Sequence, residues 1–168
     1  MIIRCEFLTS RYVAKKTHTS VEWPPHPARL FYALVSALHA FDADAEGFEN
    51  SEREALVWLE SLDNPTIYCP QLDTISHRKT VKHYVPVNDP PKNLKKGEKP
   101  KPDHLPELRE KKERAFPTLS FAAGSNTVFF QWKNVDGGKY LDGLNSLFGR
   151  VSYLGHSGSL VALGFANA

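Results

Sequence analysis

A chain of 168 residues is long enough for one domain that buries about two thirds of the surface its unfolded form exposes. With 41% apolar and 24% charged residues its composition is that of a folded globular protein, and no apolar run is long enough to suggest a membrane-spanning helix. The net charge of +2 is unevenly placed: Arg78 to Arg114 carries twelve Lys/Arg against six Asp/Glu, a net of +6 that leaves −4 for the rest. A basic segment on a mildly acidic body suits a polyanion partner, and it equally suits a solvated loop. The start MIIRCEFLTSRY sets Arg4 and Glu6 where a secretion signal needs its apolar core. The only cysteines, Cys5 and Cys69, have no metal-binding spacing and no second pair, so a reduced, cytoplasmic setting is expected.

In chain order, Ile2 to Leu8 reads as a strand with Ile3, Cys5 and Phe7 on one face and Arg4 and Glu6 on the other. Thr9 to Thr17 is a loop or a strand extension. The stretch EWPPHPARLF, from Glu22 to Phe31, should stay extended until Pro27, which suits the first helical position because its missing N–H is not needed there. Leu30, Phe31, Leu34, Val35, Leu38 and Phe41 recur at helical spacing, predicting a helix from about Pro27 to Phe41. A second helix is predicted over Ser51–Leu62, with Ser51 and Glu54 as a capping box. Asn64-Pro65 ends it, and Thr66 to Cys69 is a short strand. Thr80 to Val87 alternates like a strand, with Pro86 favouring an edge.

Asp89 to Asp103 (DPPKNLKKGEKPKPD) has almost no apolar content and is expected to be a mobile loop. Leu105 to Arg114 is ambiguous, and Ala115 to Phe121 could return as a partner strand. Arg78 to Phe121 together would form a long basic hairpin. Thr127 to Trp132 is a strand, Gly137-Gly138 turns the chain into a helix bearing Leu141, Leu144, Leu147 and Phe148, and Leu160 to Phe165 is the last strand, after the turn Gly155-His156-Ser157-Gly158-Ser159. With the hairpin set aside, the order is that of an α+β, ferredoxin-like βαββαβ core, within one domain spanning residues 1–168. That fold hosts many functions.

Seven histidines are present, none at HxH or HExxH spacing, so neither a metal site nor a cofactor is expected. His26 and His156 could act as acid and base in a metal-free ribonuclease, or serve as a helix cap and a turn residue. The Gly155–Ser159 turn could hold a phosphate on its backbone N–H groups and hydroxyls, or be a plain tight turn. Arg29 in the first helical turn opposes the helix dipole by about 0.3–1 kcal/mol, a placement that makes sense where an anion is expected.

Taken in order, CEFLTSRYVA, EWPPHPARLFYALV, EREALVWLE, VPVND and RVSYLGHSGSLVAL resemble a series found in one CRISPR family, the type I-G (formerly I-U) Cascade subunit Csb-two, in its amino-terminal, Cas-five-like half. The resemblance spans nearly the whole chain. It implies a RAMP-type fold with a protruding hairpin thumb, capping of the crRNA 5′ handle, contact with Cascade backbone subunits and the large subunit, and only an indirect relation to target DNA; without the Cas-six-like half that cuts precursor repeats, a non-catalytic subunit is expected. A Cas-six-like endonuclease half is not found in this sequence and would be supplied separately or by a further segment. The aromatic signature of ordinary RNA-recognition motifs is missing from the first strand, so loops, thumb and helix ends would grip the RNA. The residues expected at RNA are Arg11, Tyr12, Lys15, His26 and Arg29, thumb residues Arg78, Lys79, Lys82, His83 and Tyr84, and the turn residues Gly155, His156, Ser157, Gly158 and Ser159, with Arg11, Arg29 and His156 towards one side.

Overall fold

The computed structural model of the chain describes residues 1–17, 20–40, 48–71, 75–86, 97 and 111–166. The elements run β1 (Ile2–Phe7), β2 (Arg11–Val13), α1 (Pro27–Leu38), α2 (Phe48–Glu60), β3 (Thr66–Tyr68), β4 (Ile75–Pro86), β5 (Lys111–Phe121), β6 (Thr127–Gln131), α3 (Leu141–Phe148) and β7 (Val161–Phe165), with one 3-10 turn at Gly138–Tyr140 leading into α3. The architecture is α+β, with two antiparallel sheets.

The first sheet has the order β3-β6-β1-β7. Its register follows from the alternation of β1: Ile3, Cys5 and Phe7 are fully buried and stand opposite Phe130, Val128, Leu163, Phe165 and Val161 on the flanking strands. Leu30, Leu34 and Leu38 of α1, Ala55, Leu56 and Leu59 of α2, and Leu144, Leu147 and Phe148 of α3 join these residues in one buried cluster. Helical spacing on one side and two-residue spacing on the other thus meet in a single core. Burial pushes the Cys5 thiol up to about 12, so it behaves as a small apolar side chain.

The second sheet has the order β2-β5-β4. After β1 the chain turns at Thr9-Ser10, where Ser10 takes φ 48°, and Arg11–Val13 pairs with Thr118–Ser120 of β5. The β4–β5 register then runs from Ile75↔Phe121 to Pro86↔Lys111 with one irregularity near Ile75/His77. This ribbon is rooted in the core at its β2 end. The N–H of Val13 donates to Ser159 Oγ at 2.8 Å, Ser159 Oγ lies 3.3 Å from the Val13 carbonyl, and Ser159 is fully buried.

Several boundaries differ from the sequence expectation. α1 ends at Leu38, with His39 as its C-cap. α2 begins at Phe48, so Ser51 lies inside the helix and not at its cap, and Glu52 is a core residue. The carboxylate accepts from Ser146 Oγ at 2.6 Å and pairs with Arg150, which is what lets an acid sit at 2% exposure. β4 starts at Ile75 and β5 at Lys111, because cross-strand pairing carries polar stretches that show no alternation of their own. β7 is an edge strand beside β1. The expected mobile loop Asp89–Asp103, apart from Gly97, and the segment 105–110 lie outside the described residues.

Gly143 permits the close approach of α3 to α2. A Cβ there would stand 2.7 Å from the Ser51 carbonyl oxygen and 3.1 Å from Ala55 Cβ, against backbone that cannot yield locally. Gly143→Ala should therefore destabilise the fold by about 1–3 kcal/mol, although alanine is the better helix former by about 1 kcal/mol. Urea unfolding of both chains measures this; a more stable variant would show that the helices are free to separate.

Candidate nucleic-acid interface

Glu22 opens the proline-rich stretch, and its carboxylate reaches forward to the start of α1. Oε1 accepts from Arg29 Nε at 2.7 Å and from the His26 N–H at 3.1 Å, while Oε2 accepts from Arg29 Nη2 at 2.9 Å. The planar guanidinium makes this a two-pronged contact that lysine cannot copy. The hydrogen bonds from Arg29 hold the Glu22 carboxyl below its ordinary value, although burial opposes them. His26 is the N-cap: its Nδ1 accepts from the Ala28 N–H at 3.2 Å, and Pro27 takes the first helical position. The anion that a first-turn arginine calls for is therefore supplied from within the chain. Trp23 closes the approach from behind, with its indole N–H donating to the Pro70 carbonyl at 3.1 Å.

The glycine-serine turn lies directly against Arg29. Gly155 has φ 78°, a conformation that side chains disfavour, and a Cβ there would stand 2.8 Å from Arg29 Nη1. Within the turn His156 Nδ1 accepts from the Gly158 N–H at 3.0 Å, and the Ser159 N–H donates to the His156 carbonyl at 2.8 Å. The His156 ring meets Phe116 of β5 edge-on, with centroids 5.1 Å apart. The turn thus sits between the start of α1 and the root of the ribbon. Ser157 and Gly155 are exposed, whereas Ser159 is enclosed.

Of the other residues singled out from sequence, Tyr12 is fully buried against Phe7 and Trp23, with ring centroids 5.2 and 5.6 Å away. It is a packing residue, and burial pushes its hydroxyl pKa up. Arg11 is exposed opposite Ser120, and Lys15 is exposed at the bridge to Val21. Arg78, Lys79, Lys82, His83 and Tyr84 lie along β4, in register with Leu119, Thr118, Ala115, Arg114 and Glu113.

Together with Gly155, Arg29 lines a cleft of about 510 Å³ between α1 and the segment 150–155. Arg150, Tyr32 and Tyr153 also line it, and sequence reading did not single them out. Tyr32 carried a signal nonetheless: it falls three residues after Arg29 and four before Ser36, an aromatic residue on the polar face of an amphipathic helix. Arg150 carried none, since its role depends on Glu52 being buried across from it.

The sign of the Glu22 shift fixes a pH dependence. A carboxyl whose pKa is depressed in the folded state adds stability above its unfolded value, and that contribution is lost as pH falls through the depressed folded value. Glu22→Gln should therefore cost no more than about 1 kcal/mol at neutral pH, as befits a partly solvated pair. The gap from the parent should close on acidification. Urea midpoints between neutrality and about pH 3 read this; a gap independent of pH would mean that the charge of Glu22 contributes nothing.

No curated protein matches the chain. A family model described as CRISPR-associated protein, GSU0054 family, matches residues 2–140. The match takes in β1, the Glu22–Arg29 fork, the helices α1 and α2, the basic ribbon and β6, and the chain belongs to this family of CRISPR-associated proteins.

Proposed function

We propose that the chain is a non-catalytic crRNA-binding subunit of a type I-G Cascade complex, a Cas-five-like RAMP protein that caps the crRNA 5′ handle and contacts the backbone subunit. The single observation that carries this reading is the long basic β4–β5 ribbon, rooted through β2 and Ser159 on a core of antiparallel sheet and helices. The strand order β3-β6-β1-β7, with helices between β1 and β3 and between β6 and β7, supports reading the core as a ferredoxin-like βαββαβ unit and the ribbon between β3 and β6 as its thumb. Membership of a CRISPR-associated family supports work alongside other Cas components.

Arg78, Lys79 and Lys82 on β4 and Arg114 on β5 give the ribbon the means to track a phosphate backbone. Ser157 and Gly155 offer a second contact at the exposed turn. The two histidines that a metal-free ribonuclease would use each have Nδ1 engaged by a backbone N–H two residues on, which supports structural roles for both. A Cas-six-like partner would then supply the endonuclease.

Two measurements test the reading. Filter binding of crRNA across a salt series should give a steep negative slope of log affinity against log salt, and Lys79→Ala and Lys82→Ala should each lower it by about 0.7. A slope untouched by either change would detach the ribbon from RNA. Incubation with repeat RNA in EDTA should leave the RNA intact; cleavage that disappears in His26→Ala or His156→Ala would make the chain a nuclease.

A further inference from the structure

The cleft between α1 and the segment 150–155 has a lining of unusual chemistry. Arg29, Tyr32 and Ser36 come from α1, and Arg150, Ser152 and Tyr153 from the opposite wall. Among the described residues no carboxylate lines it, although both guanidinium groups are held by one. Glu22 and Glu52 grip the arginines from outside the walls of the cleft, so the forks are fixed in place beside it. The floor is small: Ala33, Ala37 and Ala40 recur at helical spacing and leave the backbone of α1 approachable. The rim is aromatic and wet, with Tyr32 68% and Tyr153 45% exposed. Exposed aromatic rings of this size on one rim are unexpected for a surface that only meets water.

Fixed guanidinium groups, hydroxyls and exposed aromatic rings around a volume of this size are what a nucleotide unit needs. The arginines suit a phosphate, the rings suit the face of a base whatever its identity, and about 510 Å³ lies within the range of ligand pockets. We propose that this cleft binds one nucleotide unit of a single strand, its base stacked on Tyr32 or Tyr153 and its phosphate towards Arg29. The crRNA-binding reading supplies only the source of that nucleotide; the site itself stands on its lining. Gly155 of the glycine-serine turn also lines it, so an RNA held at that turn would have one base within reach of the cleft.

The experiment separates the two sources of the chemistry. Short single-stranded RNAs carrying 4-thiouridine, and separately the four free nucleoside 5′-monophosphates, are titrated into the chain and into Tyr32→Ala, Tyr153→Ala and Tyr32→Phe. These tyrosines are exposed, so their loss leaves the fold intact, and an unchanged urea midpoint checks that. Oligonucleotide affinity should fall about 5- to 100-fold in at least one alanine variant and recover in Tyr32→Phe if Tyr32 is the platform. Photocrosslinks should map to the peptides holding Tyr32 or Tyr153. Monophosphates that bind as tightly as the oligonucleotide, with the same tyrosine dependence, would make the occupant a free nucleotide and overturn the strand assignment. Salt-sensitive RNA binding with no tyrosine dependence and no crosslink there would overturn the cleft while leaving the subunit an RNA binder. Absence of all RNA binding would count against the crRNA reading, and the monophosphate arm would still decide whether the cleft holds a nucleotide.

Discussion

A carboxylate set seven residues ahead of a guanidinium, across a run of three prolines, governs the geometry at the start of α1. Glu22 receives three hydrogen bonds, two from Arg29 and one from the His26 backbone, and the prolines restrict how the chain can travel between its ends. With the helix start thus fixed, the Arg29 side chain packs against Gly155 and sets how closely the glycine-serine turn approaches α1. Cap, arginine and glycine are one arrangement. A larger residue at position 155 or a lysine at position 29 would disturb all three.

The same device recurs across the cleft. Arg150 is held by Glu52 as Arg29 is held by Glu22, and in both cases the acid lies outside the cavity lining. Each pair is formally neutral, so the cleft gains orientation more than net field. In the proposed function long-range attraction falls instead to the cations of the ribbon. There a strongly charged strand pair and a neutral pocket divide capture from placement, as suits a partner that is both polyanionic and locally shaped.

Much of the core was legible in the sequence because burial imposes a period. Ile3, Cys5 and Phe7 gave β1, the Leu30–Leu38 stripe gave α1, and Val128 with Phe130 gave β6. β2 was not legible: three residues are too few to show a period, and Arg11–Val13 is a strand only because β5 lies beside it. The first half of β4 fails for a related reason, since Ser76 to Lys79 is polar and owes its extension to its partner. α2 was placed three residues late because Ser51 looks like a cap to any local rule, while the burial of Glu52 depends on Ser146 and Arg150 far along the chain. At the interface, Arg29 and the glycine turn could be picked out by residue type. Their nearness was expected from the pairing of the first and last strands, and Gly155 does lie against Arg29; the Glu22 fork, which depends on the path between Glu22 and the helix start, was not foreseen.

The placement of β1 also bears on how the molecule is made. The strand at Ile2–Phe7 is hydrogen-bonded on one side to Thr127–Gln131 and on the other to residues 161–165. On a ribosome it emerges before both of them and must wait through the helices and the whole ribbon before either neighbour exists, with two bare edges and the apolar side chains of Ile3, Cys5 and Phe7 uncovered. Closure of such distant contacts makes folding slow as well as late. Arg4 and Glu6, on the face away from the core, then have a use that no contact in the finished fold reveals: they place charge on an orphan strand and discourage nascent chains from pairing with one another.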